Sequence, residues 1–172
     1  MEYFEDEYVV VDLETTGLSP FNGDEIIEIG VTEIRGDKIH RNYSRLVKPN
    51  GFIPSIITEI TNITNEMVED ALPIEEVLPN FRKYIGNRTI IAHNAKFDVG
   101  FLNYYLEKMN LAPIYKYICT VEMLKKNKEY KGKNKKLQTA CDYYGILNEN
   151  AHRADSDTLA TAKLFMKIRL SM

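Results

Sequence analysis

The run "VVVDLETTGL", residues 9–18, is apolar and rich in valine, yet Asp12 and Glu14 stand two residues apart inside it. A valine-rich stretch of this kind reads as a strand buried on both faces. Side chains alternate along a strand, so Val10, Asp12 and Glu14 share one face while Val9, Val11 and Leu13 share the other. Any fold of this chain must therefore accommodate two neighbouring acids on an otherwise buried strand. Desolvating a single ionised carboxylate already costs several kcal/mol, and two of them repel. A divalent cation resolves the conflict. With no clustered histidine and no CxxC spacing nearby, hard oxygen ligands point to Mg²⁺ or Mn²⁺ rather than zinc.

The pattern around that strand is mixed. "TTGLSPFNGD" reads as an extended turn, and residues 25–35 and 38–48 read as two further strands joined by the hairpin signal Gly36-Asp37. Beyond Pro49 the periodicity turns helical: short helices around 54–70, a helix near 74–85, a strand "TIIAH" at 89–93, and a helix from Lys96 to Met109. Further helices are expected at about 120–127, 136–144 and 156–170, with Gly145 stopping the middle one. The expectation is an α/β domain, a meander followed by strands interleaved with helices. At 172 residues and 44% hydrophobic content the chain is long enough for one domain, 1–172 with its core at about 8–170. No apolar run reaches the roughly 20 residues of a membrane span, and the acidic opening "MEYFEDEY" is the wrong chemistry for a signal peptide, so a cytoplasmic protein is expected. Cys119 and Cys141 read as thiols without a function.

Two helices repeat the opening motif's message. Asp98 lies at helical spacing from Phe101, Leu102, Tyr105 and Met109, and Asp157 from Thr161, Leu164 and Ile168. Each therefore offers an acid from a core-facing stripe near a helix N-terminus. An acid in a first turn is also a favourable partner of the helix dipole, which is the plainer explanation for either one alone. Four acids that could converge without compensating bases call for metal. Five residues before Asp157 stands His152, in a polar loop where an imidazole, titrating near ~6.5 in water, could accept a proton. Asp155 cannot share a helical face with Asp157 and reads as a cap or first-turn residue; His93 competes with His152 for the base role, and His40 reads as structural.

Charge is distributed unevenly. The net charge is −3, but "KKNKEYKGKNKK", Lys125 to Lys136, holds seven lysines and one glutamate. The segment is either a solvated loop or a grip on phosphates, with Tyr130 available to stack on a base.

Three motifs together resemble the DEDDh, or DnaQ-like, exonuclease family, which includes the proofreading subunit of bacterial DNA polymerase III and RNase T. They are "VVVDLETTGL" with "DEIIEIG", then "IIAHNAKFDVGFL", then "HRADSDTLAT" with His152 and Asp157 in the H-x4-D spacing. Arg153 stands where the sister DEDDy class has tyrosine, and Asn62 stands where the family commonly has glycine. The resemblance implies a ribonuclease H-like fold with a five-stranded mixed sheet flanked by helices. It implies hydrolysis of single-stranded 3' ends with two divalent ions, Mg²⁺ or Mn²⁺. Asp12, Glu14 and Asp157 would hold the first ion, Asp12 would bridge to the second, Asp98 would act largely through water, and His152 would be the general base. Thr15, Thr16, Gly17 and Leu18 would border the terminal nucleotide, and His93, Asn94, Phe97 and Phe101 would line the cleft, although the spacing of the two phenylalanines equally suits core packing. DNA is the favoured substrate, with an RNase T-like exoribonuclease as the alternative. A catalytically idle binding module and a hydrolase of small nucleotides are the readings from other classes. The partners expected are single-stranded DNA or RNA, a DNA polymerase subunit, or a second copy in a homodimer.

Overall fold

The computed structural model describes residues 7–171, so the acidic opening segment read above lies almost wholly outside the described residues. The valine-rich run forms β1 (Glu7–Thr15), the central strand. β2 (Ile26–Arg35) and β3 (Lys38–Leu46) follow as the expected hairpin, turning at Gly36, whose φ of 63° suits glycine. β4 (Thr89–Ala92) and β5 (Tyr117–Cys119) complete a sheet of order β3-β2-β1-β4-β5. β1 is antiparallel to β2 and parallel to β4, and β5 is parallel to β4. No local pattern in the sequence marks β5. Three residues are too few to show a period, and only pairing with β4 makes them a strand.

α1 (Ser55–Thr61) is shorter than the helical region read at 54–70. It stops at Asn62, which takes the left-handed conformation at φ 61° and donates its N–H to the Thr58 carbonyl. Asn65 Oδ1 then accepts from the Ile53 N–H and Thr64 Oγ1 from the Met67 N–H, local bonds that compete with helix. α2 (Ile74–Ile85) and α3 (Ala95–Lys108) cover one face of the sheet, packing on Val9, Val11, Leu13, Ile29 and Val31. α4 (Thr120–Lys126) and α5 (Leu137–Tyr144) pack on α6 (Ala154–Ser171), which lies on the other face with Ala162 and Phe165 against Val10, Ile34 and Ile91. Each large apolar side chain buried this way contributes about 1.5–3 kcal/mol. The alternation of β1 thus sends Val9, Val11 and Leu13 to α2 and α3, and sends Asp12 and Glu14 toward α6. No helix among the described residues is long and apolar enough to cross a membrane.

Candidate active site

β4 pairs with β1 only as far as Val10, so beyond it β1 is paired with β2 on one side and open on the other. An open crevice at the carboxyl ends of parallel strands, where the chain connections diverge to either side, is where α/β sheets bind ligands. Here the Leu13 N–H, left without a strand partner, donates to Asp98 Oδ1 at 3.0 Å from the first turn of α3. Asn94, left-handed at φ 66°, makes the sharp turn from β4 into α3 that brings Asp98 there.

From the other face comes α6. Gly30 of β2 is the cross-strand partner of Asp12, and a Cβ on it would lie 2.3 Å from the Ala154 carbonyl. Only glycine lets the start of α6 approach the sheet this closely. One turn on, Asp157 meets the two acids of β1: ligand oxygens of Asp12, Glu14 and Asp157 all lie within 4.8 Å of one another.

The electrostatics of this group are those of acids that could hold a cation. Burial, reinforced by the charges of Asp98, Glu14 and Asp157, holds the Asp12 carboxyl well above the usual carboxylate range. Burial and then the Asp157 charge push Glu14 up to about 8, and burial pushes Asp98 up to about 8 against the opposing pull of the Leu13 N–H. Asp157 is raised by burial, less so because Asn148 Nδ2 donates to its Oδ1 at 2.8 Å and the His152 N–H to its Oδ2 at 3.0 Å. Asp12 Oδ2 is buried and has no hydrogen-bond donor among the described residues. Hard oxygen donors in excess of their own hydrogen-bond partners suit a divalent ion of the Mg²⁺ or Mn²⁺ type.

A cavity of about 730 Å³ opens onto the acids and is lined by Asp12 and Asp157 on one side and by His152, Lys135, Lys136 and Gln138 elsewhere. His152 is exposed, and its backbone sits in the left-handed region at φ 66°, tied by its own N–H to Asp157. Such conformations in non-glycine residues cluster at functional sites. His93 also lines the cavity, but both ring nitrogens are engaged, Nδ1 with Thr120 Oγ1 and Nε2 with the Lys135 carbonyl, each at 2.7 Å. The carbonyl can only accept, so Nε2 carries the hydrogen and Nδ1 accepts from Thr120. Burial holds the ring below the ordinary imidazole range, and neither ring nitrogen is free in this arrangement. His40 is exposed on the edge strand β3, and Asp155 falls in the first turn of α6.

The remaining expected residues divide. Leu18 is 87% exposed beside the acids' strand, free to meet a base. A Cβ on Gly17 would lie 2.3 Å from the Asp24 carboxyl carbon, so a side chain there would displace the carboxylate that accepts from the Ser19 N–H. The Thr15 hydroxyl donates to the Gly17 carbonyl, and Thr16 Oγ1 accepts from the Glu25 N–H, so both threonines brace this turn. Asn94 lines the cavity. Phe101, expected in the cleft, is instead 1% exposed in the core, where it supports the partly buried Phe97 at a ring separation of 5.0 Å. Tyr130 does not stand ready to stack on a base either. Its ring packs on Tyr143 and Tyr144, and its hydroxyl donates to the Asn134 carbonyl. The lysine-rich segment is therefore anchored, by Tyr130 at one point and by His93 at another. Sequence reading passed over Asn148, Gly30 and Glu28. A glycine inside a strand pattern was the available signal for close backbone approach.

A five-stranded mixed sheet carrying four gathered carboxylates at the end of its central strand defines a ribonuclease H-like nuclease domain. The exonuclease family model of RNase T matches residues 9–165, and the chain belongs to that family. It is 42% identical over 164 residues to a PolC-type DNA polymerase III of Caldanaerobacter subterraneus subsp. tengcongensis, covering 95% of this chain and 12% of that protein. It is 35% identical over 163 residues to the 3'-5' exonuclease DinG of Bacillus subtilis, covering 94% and 17%. The chain thus spans less than a fifth of these relatives. Among solved structures, Exonuclease X in complex with 5' overhanging duplex DNA superposes with a TM-score of 0.76 at 27% identity, covering 95% of this chain and 91% of that one. The nuclease domain of 3'hExo, a DEDDh family member bound to rAMP, shares the fold with a TM-score of 0.84 at 18% identity, covering 99% and 94%.

Proposed function

We propose that residues 8–170 act as one metal-dependent 3'-5' exonuclease domain that removes nucleotides from single-stranded DNA ends. Asp12, Glu14 and Asp157 would hold the first of two Mg²⁺ or Mn²⁺ ions, Asp12 would also serve the second, and Asp98 would act through water. The single observation that carries this reading is the buried, donorless Asp12 Oδ2 among acids that repel, at the floor of a cavity shared with His152. Cations bound there would acidify water and neutralise the charge that develops on the phosphate. His152 takes the proton of the attacking water as its oxygen bonds to phosphorus. The bond from phosphorus to the 3' oxygen of the preceding nucleotide breaks, that oxygen is protonated, and a nucleoside 5'-monophosphate leaves. Leu18 abuts the terminal base, and Lys135 and Lys136 face the phosphates of the strand.

The 42% likeness to a PolC-type polymerase favours DNA, a polymerase partner and a cytoplasmic setting. The test is a digestion of matched, 5'-labelled DNA and RNA single strands with Mg²⁺, run beside His152→Ala. A ladder shortening from the 3' end of DNA is expected, and the variant should lose roughly 100- to 10,000-fold in rate while retaining metal binding. Preference for RNA would favour the exoribonuclease reading, hydrolysis of mononucleoside esters alone a small-nucleotide hydrolase, and binding without cleavage an idle module.

A further inference from the structure

The face of β2 that meets α6 presents Glu28, Gly30 and Thr32 in alternation. All three hold the start of that helix. Gly30 admits the Ala154 backbone, and Thr32 Oγ1 donates to Thr158 Oγ1 at 2.9 Å one turn on. Glu28 is 0% exposed and directly opposes Glu14 across the β1–β2 ladder, so a fifth carboxylate is buried beside the four discussed above. Unlike Asp12 it has donors on both oxygens, including a cation: the Ala154 N–H at 2.8 Å, Arg153 Nη2 at 2.8 Å and Arg153 Nε at 3.3 Å. Its charge is neutralised by the protein itself, which excludes it as a metal ligand. A buried carboxylate is costly to retain unless its geometry does something an apolar residue could not.

What it fixes is a short stretch of chain. Arg153 and Ala154 lie between His152 and Asp157, and the Asp157 N–H donates to the Arg153 carbonyl at 2.9 Å. We propose that Glu28 is a positioning residue for the reaction: by gripping Arg153 and the Ala154 amide it sets His152 and Asp157 relative to Asp12 and Glu14. The grip runs from β2, the strand paired with the one that carries the two acids, so the base and the third ligand are referenced to the same rigid sheet. Removing the charge frees Arg153 and relaxes the loop that bears His152, without touching any residue that meets substrate.

The inference rests on the metal-dependent reading above, and its test separates the two. Glu28→Gln keeps an oxygen for the Ala154 amide but loses the ion pair, and Arg153→Gln loses it from the other side. Mn²⁺ affinity by titration calorimetry, kcat and KM on single-stranded DNA, and melting temperature are measured for both variants and for the double variant. Each single variant is expected to lose roughly 10- to 100-fold in Mn²⁺ affinity and kcat, with KM little changed. The double variant should be no worse than the poorer single one, because the pair acts as a unit. Wild-type Mn²⁺ affinity and kcat in Glu28→Gln, even with a lowered melting temperature, would reduce Glu28 to a fold-stabilising residue and overturn the proposal. Losses that multiply in the double variant would overturn the pairing. Arg153, partly exposed at its side chain, keeps the test open should Glu28→Gln fail to fold. Wild-type protein that binds no Mn²⁺ would instead sink the functional reading on which this one stands.

Discussion

Asp12→Asn should make the metal-free protein more stable at neutral pH while abolishing its activity. The ligand oxygens of Asp12, Glu14 and Asp157 lie within 4.8 Å of one another. At that separation, and with an effective dielectric constant of about 20, two unit charges repel by about 3.5 kcal/mol. Without metal the folded protein retains protons, and burial first and this repulsion second push Glu14 up to about 8. A carboxyl whose pKa is higher folded than unfolded binds its proton more tightly in the folded state. Its stabilisation is therefore complete below the unfolded value of about 4.3 and is lost as pH rises toward the folded one. Each proton retained lowers stability by about 1.4 kcal/mol per pH unit, so Glu14 alone should cost the metal-free wild type about 3 kcal/mol between pH 5.5 and 7.5, with Asp12 and Asp98 adding to it. For a domain of this size that is a fall of roughly 6–12 °C in melting temperature. Asparagine at position 12 removes a buried carboxyl held well above its usual range, and with it that group's share of the pH dependence, so the variant's profile should flatten and lie above wild type at pH 7.5. Urea unfolding in EDTA at the two pH values measures both. A flat wild-type profile, or a variant with the same slope as wild type, would refute the argument. Saturating Mg²⁺ should restore wild type and leave the variant little changed.

Asn148→Ala removes the 2.8 Å donor to Asp157 Oδ1, and Mn²⁺ affinity should fall about 10-fold by titration calorimetry; unchanged affinity would mean the amide does not orient the ligand. Gly30→Ala drives a Cβ into the Ala154 backbone, with an expected cost of about 1–3 kcal/mol by chemical denaturation and a loss of activity, because α6 must retreat from β1. Replacing Lys135 and Lys136 together by alanine should weaken single-strand binding and reduce the slope of log affinity against log salt by about 1.4, where an unchanged slope would return both to the solvated surface.

Local pattern made much of this legible. Strand alternation placed Asp12 and Glu14 on one face, and helical spacing placed Asp98 and Asp157 on buried stripes, where they are found 3% and 8% exposed. Asn62 takes the left-handed turn that its chemistry favours. Where two roles fit one period, the sequence had no means of choosing. Phe101 serves the core because α3 turns that face to the sheet, and Tyr130 found two tyrosines of α5 before it could find a base. β5 escaped notice because a three-residue strand exists only by virtue of its partner.

By itself the sequence determined that acids stand on buried strand and helix faces where they could converge on a cation, since alternation and helical period depend only on neighbouring residues. Only the tertiary structure decided which acids remain uncompensated. Glu28 and Ala154 lie 126 residues apart, and Asp98 and Leu13 lie 85 apart. A carboxylate's charge is settled by whatever donors the fold brings within about 3 Å of it, and no periodicity along the chain encodes that distance. That is why Glu28, read only as part of a strand, is neutralised by Arg153, while Asp12 keeps an oxygen that no group among the described residues satisfies.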